Sequence, residues 1–170
     1  MEEMLIVVDR EDRVLGYAPR SECHQGNGLL HRAICVALFD SGGRLLLQDR
    51  HNGLWDGYWD VTGATHPLHA ERDESYEEAA RRCLRVEWGI EAEVEPVEAF
   101  VYFEREGDYC ENERCMLMVA RYDGPANPNP AHSYGHRWLH LPDVVAWAAR
   151  EPEAFTPWAR ISLRVLGRPS

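Results

Sequence analysis

Five side chains of this 170-residue chain stand out by type and spacing as possible metal ligands. His24 and His31 lie seven apart, flanking the start of an apolar run, and His66 follows in Gly63-Ala-Thr-His-Pro67. Glu111 and Glu113 are separated by one residue. If Glu111–Arg114 is extended, both carboxylates face one side, because side chains alternate along a strand. Three imidazoles and two carboxylates suit a divalent ion such as Zn2+, Mn2+ or Mg2+. No compact motif links the five, and solvated loop histidines with a wet Glu-x-Glu face account for the same spacing. Arg82 and Glu87, five apart near the end of a strong helical pattern, form a second candidate. Its alternative is an ion-pair pattern on an exposed helix face. His132, His136 and His140 recur every four residues and read as surface residues.

Several elements must hold these groups. Met4–Asp9 and Val14–Ala18 read as an opening hairpin. His31–Phe39 is a β-branched and apolar strand, followed by the turn Asp40-Ser-Gly-Gly43 and a strand over Arg44–Arg50, the clearest hairpin in the chain. A Gly- and Trp-containing loop leads to a short strand at Trp59–Val61. Glu74–Trp88 is the strongest helix, with Ser75 and Glu78 spaced as a capping box and Gly89 as its stop. Val94–Glu106, Cys115–Tyr122 and Arg137–His140 read as strands, with a Pro/Asn loop over Pro125–Pro130. Pro142–Arg150 and Pro157–Leu166 read as helices with Pro in the first turn, the second capped by Thr156. This order predicts one mixed α+β domain over residues 1–170 rather than alternating βαβ units.

Composition narrows the classes. With 45% hydrophobic and 28% charged residues the chain reads as a globular domain. The longest apolar run, Ala33–Phe39, is far too short to cross a bilayer, and Glu2 and Glu3 sit where a secretory leader carries positive charge. A cytoplasmic protein that binds neither membrane nor nucleic acid is therefore expected. The net charge of −11 agrees, since a diffuse acidic surface disfavours polyanions. All 18 basic residues are Arg, so a phosphate group has to be held by Arg, backbone N–H or metal. The five cysteines are scattered without CxxC spacing, which favours reduced thiols over a disulfide framework.

Gly63, Arg82, Leu84, Glu87, Gly89 and Ile90 resemble a degenerate Nudix box, a loop–helix–loop that supplies carboxylates to a metal on a diphosphate. More specifically, the chain resembles type I isopentenyl-diphosphate isomerase, a branch of the Nudix superfamily. The likeness runs nearly end to end. It includes VDREDRVLG from Val8, His24, LHRA around His31, LLLQDR ending at Arg50, Trp59 to His66-Pro67, ENE at Glu111–Glu113, and TPW ending at Trp158. The resemblance implies a Nudix fold, a mixed β-sheet core sandwiched by helices. It implies that His24, His31, His66, Glu111 and Glu113 hold a catalytic divalent metal (Mg2+, Mn2+ or Zn2+) and that Glu87 holds a second one on the substrate diphosphate. By the same resemblance Glu113 and Glu87 are catalytic, Arg20 and Arg50 bind the diphosphate, and Tyr102 and Trp158 line the site. The two aromatics read equally well as core residues.

Departures from the family pattern accompany these matches. Moving a double bond needs two proton-transfer groups, one on each face of the carbon skeleton. The resemblance assigns these to Glu113 and to a cysteine two residues before the His-Pro histidine, where this chain has Ala64. Cys110 and Cys115 are the thiols that could approach in space. The loop between Arg50 and Trp59 is two residues shorter than the family's and lacks its phosphate-binding lysine. The ordinary hydrolase box is broken as well, with Cys83 and Val86 at two of its glutamate positions. Three functions follow as expectations: a metal-dependent enzyme on a small diphosphate nearest the isomerase, a diphosphohydrolase of nucleoside or prenyl diphosphates, and a non-catalytic ligand-binding homologue. A monomer or homodimer is expected.

Overall fold

A computed structural model describes all 170 residues. In chain order the elements are β1 (Met4–Val8), β2 (Val14–Pro19), α1 (Arg20–His24), β3 (His31–Phe39), β4 (Arg44–Arg50), β5 (Trp59–Asp60), β6 (Gly63–Thr65) and β7 (Leu68–His69). There follow α2 (Tyr76–Trp88), β8 (Val94–Glu106), β9 (Tyr109–Arg121), β10 (Ser133–His140), α3 (Leu141–Arg150), a 3-10 turn (Pro152–Ala154) and α4 (Pro157–Leu166). This is the expected α+β class, a mixed sheet with helices on both faces.

The centre of the sheet is β3, which runs parallel to β9 from His31↔Glu113 to Phe39↔Arg121. Such a strand is buried on both faces, which is why its sequence is a continuous apolar run. Ile34, Val36 and Leu38 pack under α2 against Ala80, Leu84 and Trp88. Ala33, Cys35, Ala37 and Phe39 face the other way, into a core closed by Phe155, Trp158 and Leu163 around α4. The long hairpin β8–β9 and the opening hairpin β1–β2 extend the sheet on either side.

Both caps of α2 form as the sequence specifies. Ser75 Oγ accepts from the Glu78 N–H, Glu78 answers to the Ser75 N–H, and Gly89 takes the left-handed conformation at φ 66°. The helix therefore starts at Tyr76, not Glu74. Thr156 caps α4 through the Ala159 N–H.

The expected hairpin of β3 and β4 is corrected. The two strands pair only at Phe39↔Leu45 and then splay apart. The chain from Trp59 to Thr65 enters the gap: β5 pairs with β4, and β6 pairs with β3. Thr62 bridges the opening, its hydroxyl accepting from the Leu38 N–H at 2.9 Å and donating to the Leu46 carbonyl at 2.7 Å. The outer edge of β4 pairs instead with β10, which begins at Ser133 rather than Arg137. The sequence shows no sign of α1, β6 and β7, which are too short to display a period. β9 begins six residues before the expected Cys115, so Glu111 and Glu113 lie on a strand.

Candidate metal centre and pocket

Four segments deliver the five ligand candidates. The single turn of α1 presents His24, and His31 opens β3 directly opposite Glu113 of β9. His66 follows β6, its loop held by Arg82, whose guanidinium donates to the His66 carbonyl at 2.8 Å and to Glu74. Alternation along β9 turns Glu111 and Glu113 to one face. All five side chains are buried, and their ligand atoms lie within 4.8 Å of one another. The three imidazole centroids are 4.8–5.1 Å apart.

The donor set fits a cation. His24 Nδ1–H donates to the Arg20 carbonyl at 2.6 Å, and His31 Nδ1–H donates to the Leu29 carbonyl at 2.7 Å. These bonds fix the tautomers and leave both Nε2 lone pairs aimed into the cluster, as metal-binding histidines are held. His31 Nε2 is buried without a hydrogen-bond partner, 3.6 Å from Glu113. Burial lowers the pKa of His24 and lowers His66 to about 3, so these two rings are neutral at pH 7. Burial and the neighbouring Glu113 push Glu111 well above the carboxylate range. Burial would raise Glu113 too, but the His31 and His66 rings beside it, the latter hydrogen-bonded at 2.9 Å, hold it well below. The pair thus retains a proton on Glu111, which bonds to His24 Nε2 at 3.1 Å, beside an ionised Glu113. A divalent cation would replace that proton. Tyr102, the cross-strand partner of Glu113, donates to it at 2.6 Å.

A cavity of about 230 Å³ opens beside this cluster. One wall is the edge of the α4-side core: Ala33, Cys35, Ala64, Tyr102 and Trp158. The polar lining includes Arg20, Arg50, Arg82, Glu87 and His132. Glu87 is one of the deepest of these, and burial raises its carboxyl to about 7. It accepts from Gln48 Nε2 at 3.1 Å and lies 3.9 Å from His132 Nδ1. His132 is therefore corrected from surface residue to pocket wall, whereas His136 and His140 are exposed as expected. Arg50 stacks over the Trp158 ring at 5.0 Å, while Arg20 sits at the rim 3.5 Å from Glu3. Tyr102 and Trp158 belong to both the core and the pocket.

Three residues escaped the sequence reading. Asp60 is wholly buried and accepts from Trp158 Nε1 at 2.9 Å and from Thr156 Oγ at 3.2 Å, with Arg50 at 3.7 Å. Its only signal is an aspartate inside an expected strand. Gln48 gave no signal. Cys35 lies four positions after His31, so β periodicity places it on the ligand face. Cys110 and Cys115 are both buried; Cys115 Sγ is 3.2 Å from Cys35 Sγ, while Cys110 packs near Gly28, away from the lining.

Residues 29–159 match the family model described as NUDIX domain. The chain is a member of the Nudix superfamily. Among curated relatives, this Nudix chain is 41% identical to the isopentenyl-diphosphate Delta-isomerase of Burkholderia multivorans, covering 99% of the chain and 96% of the relative. It is 34% identical to the human isopentenyl-diphosphate delta-isomerase 2, covering 94% and 80%. A crystal structure from Deinococcus radiodurans superposes with a TM-score of 0.79 at 23% identity, covering 98% of this chain and all of the other, which establishes the fold. The protein is thus a Nudix enzyme related to the isopentenyl-diphosphate isomerases, and it carries a candidate metal-binding cluster.

Proposed function

We propose that this protein is a divalent-metal-dependent enzyme that shifts the double bond of a small prenyl diphosphate. The observation that carries the reading is a buried cluster of three histidines and two glutamates beside a cavity of about 230 Å³ with one apolar wall. Pockets for drug-sized ligands occupy ~300–1,000 Å³. The smaller space accepts a diphosphate with a short hydrocarbon tail and leaves little room for a base and ribose. The names of the relatives point to the same substrate class.

In this reading His24, His31, His66, Glu111 and Glu113 hold one Mg2+, Mn2+ or Zn2+, and Glu87 holds a second cation on the diphosphate. The bound cations supply positive charge that neutralises the diphosphate and keeps Glu113 ionised. Arg50 and Arg20 bind phosphate oxygens, Arg50 from a position fixed by Asp60 and the Leu54 carbonyl. Tyr102 orients Glu113 through its hydroxyl, so that the carboxylate takes a proton from the hydrocarbon, and the face of Trp158 stabilises positive charge developing there. Ala64 stands where the isomerase pattern has its second proton-transfer group. The chain works as one domain over residues 1–170, as a cytoplasmic monomer or homodimer.

A second reading, diphosphate hydrolysis, is favoured by Glu87, whose carboxyl at about 7 is poised to take a proton from water. The deciding experiment measures metal content of the untreated protein and then its products from isopentenyl, dimethylallyl and nucleoside diphosphates. Stoichiometric metal with an isomerised product supports the proposal, and phosphate release transfers the protein to the hydrolases. Absence of bound metal overturns the five-ligand site.

A further inference from the structure

Moving a double bond along a prenyl chain requires a proton to be added at one carbon and another removed from a second. The proposed function supplies an acceptor in Glu113 and leaves the donor unassigned. The apolar wall of the pocket carries few groups with a proton to give. Tyr102 has its hydroxyl proton on Glu113 at 2.6 Å. Thr65 and Cys83 also line the cavity, but Thr65 alternates to the face of β6 away from Ala64, and Cys83 sits under Gly63 beside Glu87. The remaining group is the thiol of Cys35.

Its placement is specific. Cys35 of β3 and Ala64 of β6 are direct partners in the antiparallel register, so their side chains share one face and stand side by side. Both line the cavity, and Ala64 carries too little bulk to cover its neighbour. Glu113, Tyr102 and Cys115 project from the same face of the sheet, by their register with His31 and Ala33. Cys115 Sγ lies 3.2 Å from Cys35 Sγ, so the second thiol can donate to the first sulfur once that has lost its proton.

We infer that Cys35 delivers the proton to the hydrocarbon end of the substrate, in the space that Ala64 leaves open; the inference rests on the isomerase reading. The S–H bond breaks, and the π pair forms a C–H bond at the terminal methylene. Positive charge appears at the branched carbon, against the Trp158 face. A proton then passes to the Glu113 carboxylate from the carbon that lies between the branched carbon and the diphosphate-bearing carbon, and its C–H pair becomes the new double bond. Cys35 regains a proton from solvent, and the acceptor loses one, before the next turnover. Burial raises the Cys35 thiol, so it enters the cycle protonated.

The test compares wild type, Cys35→Ala, Cys35→Ser and the double variant Cys35→Ala/Ala64→Cys with isopentenyl diphosphate, in H2O and in D2O. Wild type in D2O places one deuterium in the new methyl group. Cys35→Ala and the near-isosteric Cys35→Ser lower kcat by at least ~100-fold, the scale of a lost general acid, with metal content, melting temperature and KM little changed. The double variant recovers at least ~10-fold over Cys35→Ala, because a thiol at position 64 enters the same space. If Cys35→Ala fails to fold, Cys35→Ser carries the comparison. A serine or alanine variant within ~3-fold of wild-type kcat overturns the inference while the isomerase reading stands, as does a loss confined to KM. A wild-type protein that makes no isomerised product overturns the reading and the inference with it.

Discussion

The buried carboxylate of Asp60 accepts a 2.9 Å hydrogen bond from the indole Nε1–H of Trp158, 98 residues further along the chain. The same group accepts from Thr156, the cap of α4, and lies 3.7 Å from the Arg50 guanidinium. One side chain thus ties the end of β4, the inserted strand β5 and the start of α4 around the pocket. Asp60→Ala leaves the indole N–H without its partner and Arg50 without its carboxylate, held only by the Leu54 carbonyl. Breaking a buried pair from one side costs about 3–5 kcal/mol. A urea titration of the variant is expected to show a loss of that size, and Asp60→Asn, which still accepts from Trp158, to lose less.

The metal assignment is tested by removal of single ligands. His31→Ala and Glu111→Gln are expected to abolish stoichiometric metal in the purified protein, read by elemental analysis. Arg85→Ala, on the exposed face of α2, is expected to keep it. Metal retained in either ligand variant refutes the cluster as a site.

Metal binding is expected to release protons. Burial and Glu113 raise the Glu111 carboxyl, so a cation entering between the two displaces the proton that the pair holds, and the number released per metal is greater than zero. Calorimetry of metal addition to the metal-free protein in two buffers of different ionisation enthalpy measures that number. Glu111→Gln removes the released proton together with the affinity.

His66 gives the metal-free fold an acid dependence of known sign. His66 titrates at about 3 when folded and near 6.5 when unfolded, so the unfolded chain binds the extra proton. Its contribution is complete above pH 6.5 and is lost as pH falls from 6.5 towards 3. Glu111, raised in the fold, acts in the opposite sense, so the comparison is made between parent and His66→Gln. The stability of the metal-free parent relative to that variant is expected to fall below pH 6.5, by at most about 1.4 kcal/mol per pH unit.

Gly63 is required for space rather than for a turn. A Cβ there would stand 2.6 Å from Cys83 Sγ and 3.0 Å from Glu87 Oε2. Gly63→Ala therefore pushes α2 and the Glu87 carboxylate away from β6. A loss of about 1–3 kcal/mol on thermal or urea unfolding, typical of overpacking, is expected, with activity falling further than stability explains. The paired variant Gly63→Ala/Cys83→Ala relieves the sulfur contact and is expected to recover part of the stability.

The amino-acid sequence by itself determined what is local. The spacing of Glu111 and Glu113 placed both carboxylates on one face once the backbone was extended, and Ser75, Glu78 and Gly89 bounded α2 because caps involve residues three or four apart. The apolar run His31–Phe39 marked a strand. Only the tertiary structure decided which of these local pieces meet. Hairpin propensity joined β3 to β4, yet Thr62 satisfies the facing N–H and carbonyl of both and holds them apart. His24 reaches Glu111 across 87 residues, Cys35 stands beside Ala64, and His132 lies against Glu87, through registers that no short window contains. Those registers are set by desolvation and by the need of every buried polar group for a partner, which act on the whole sheet at once. Ligand types can therefore be read along the chain, whereas the pocket they surround exists only after the strands have paired.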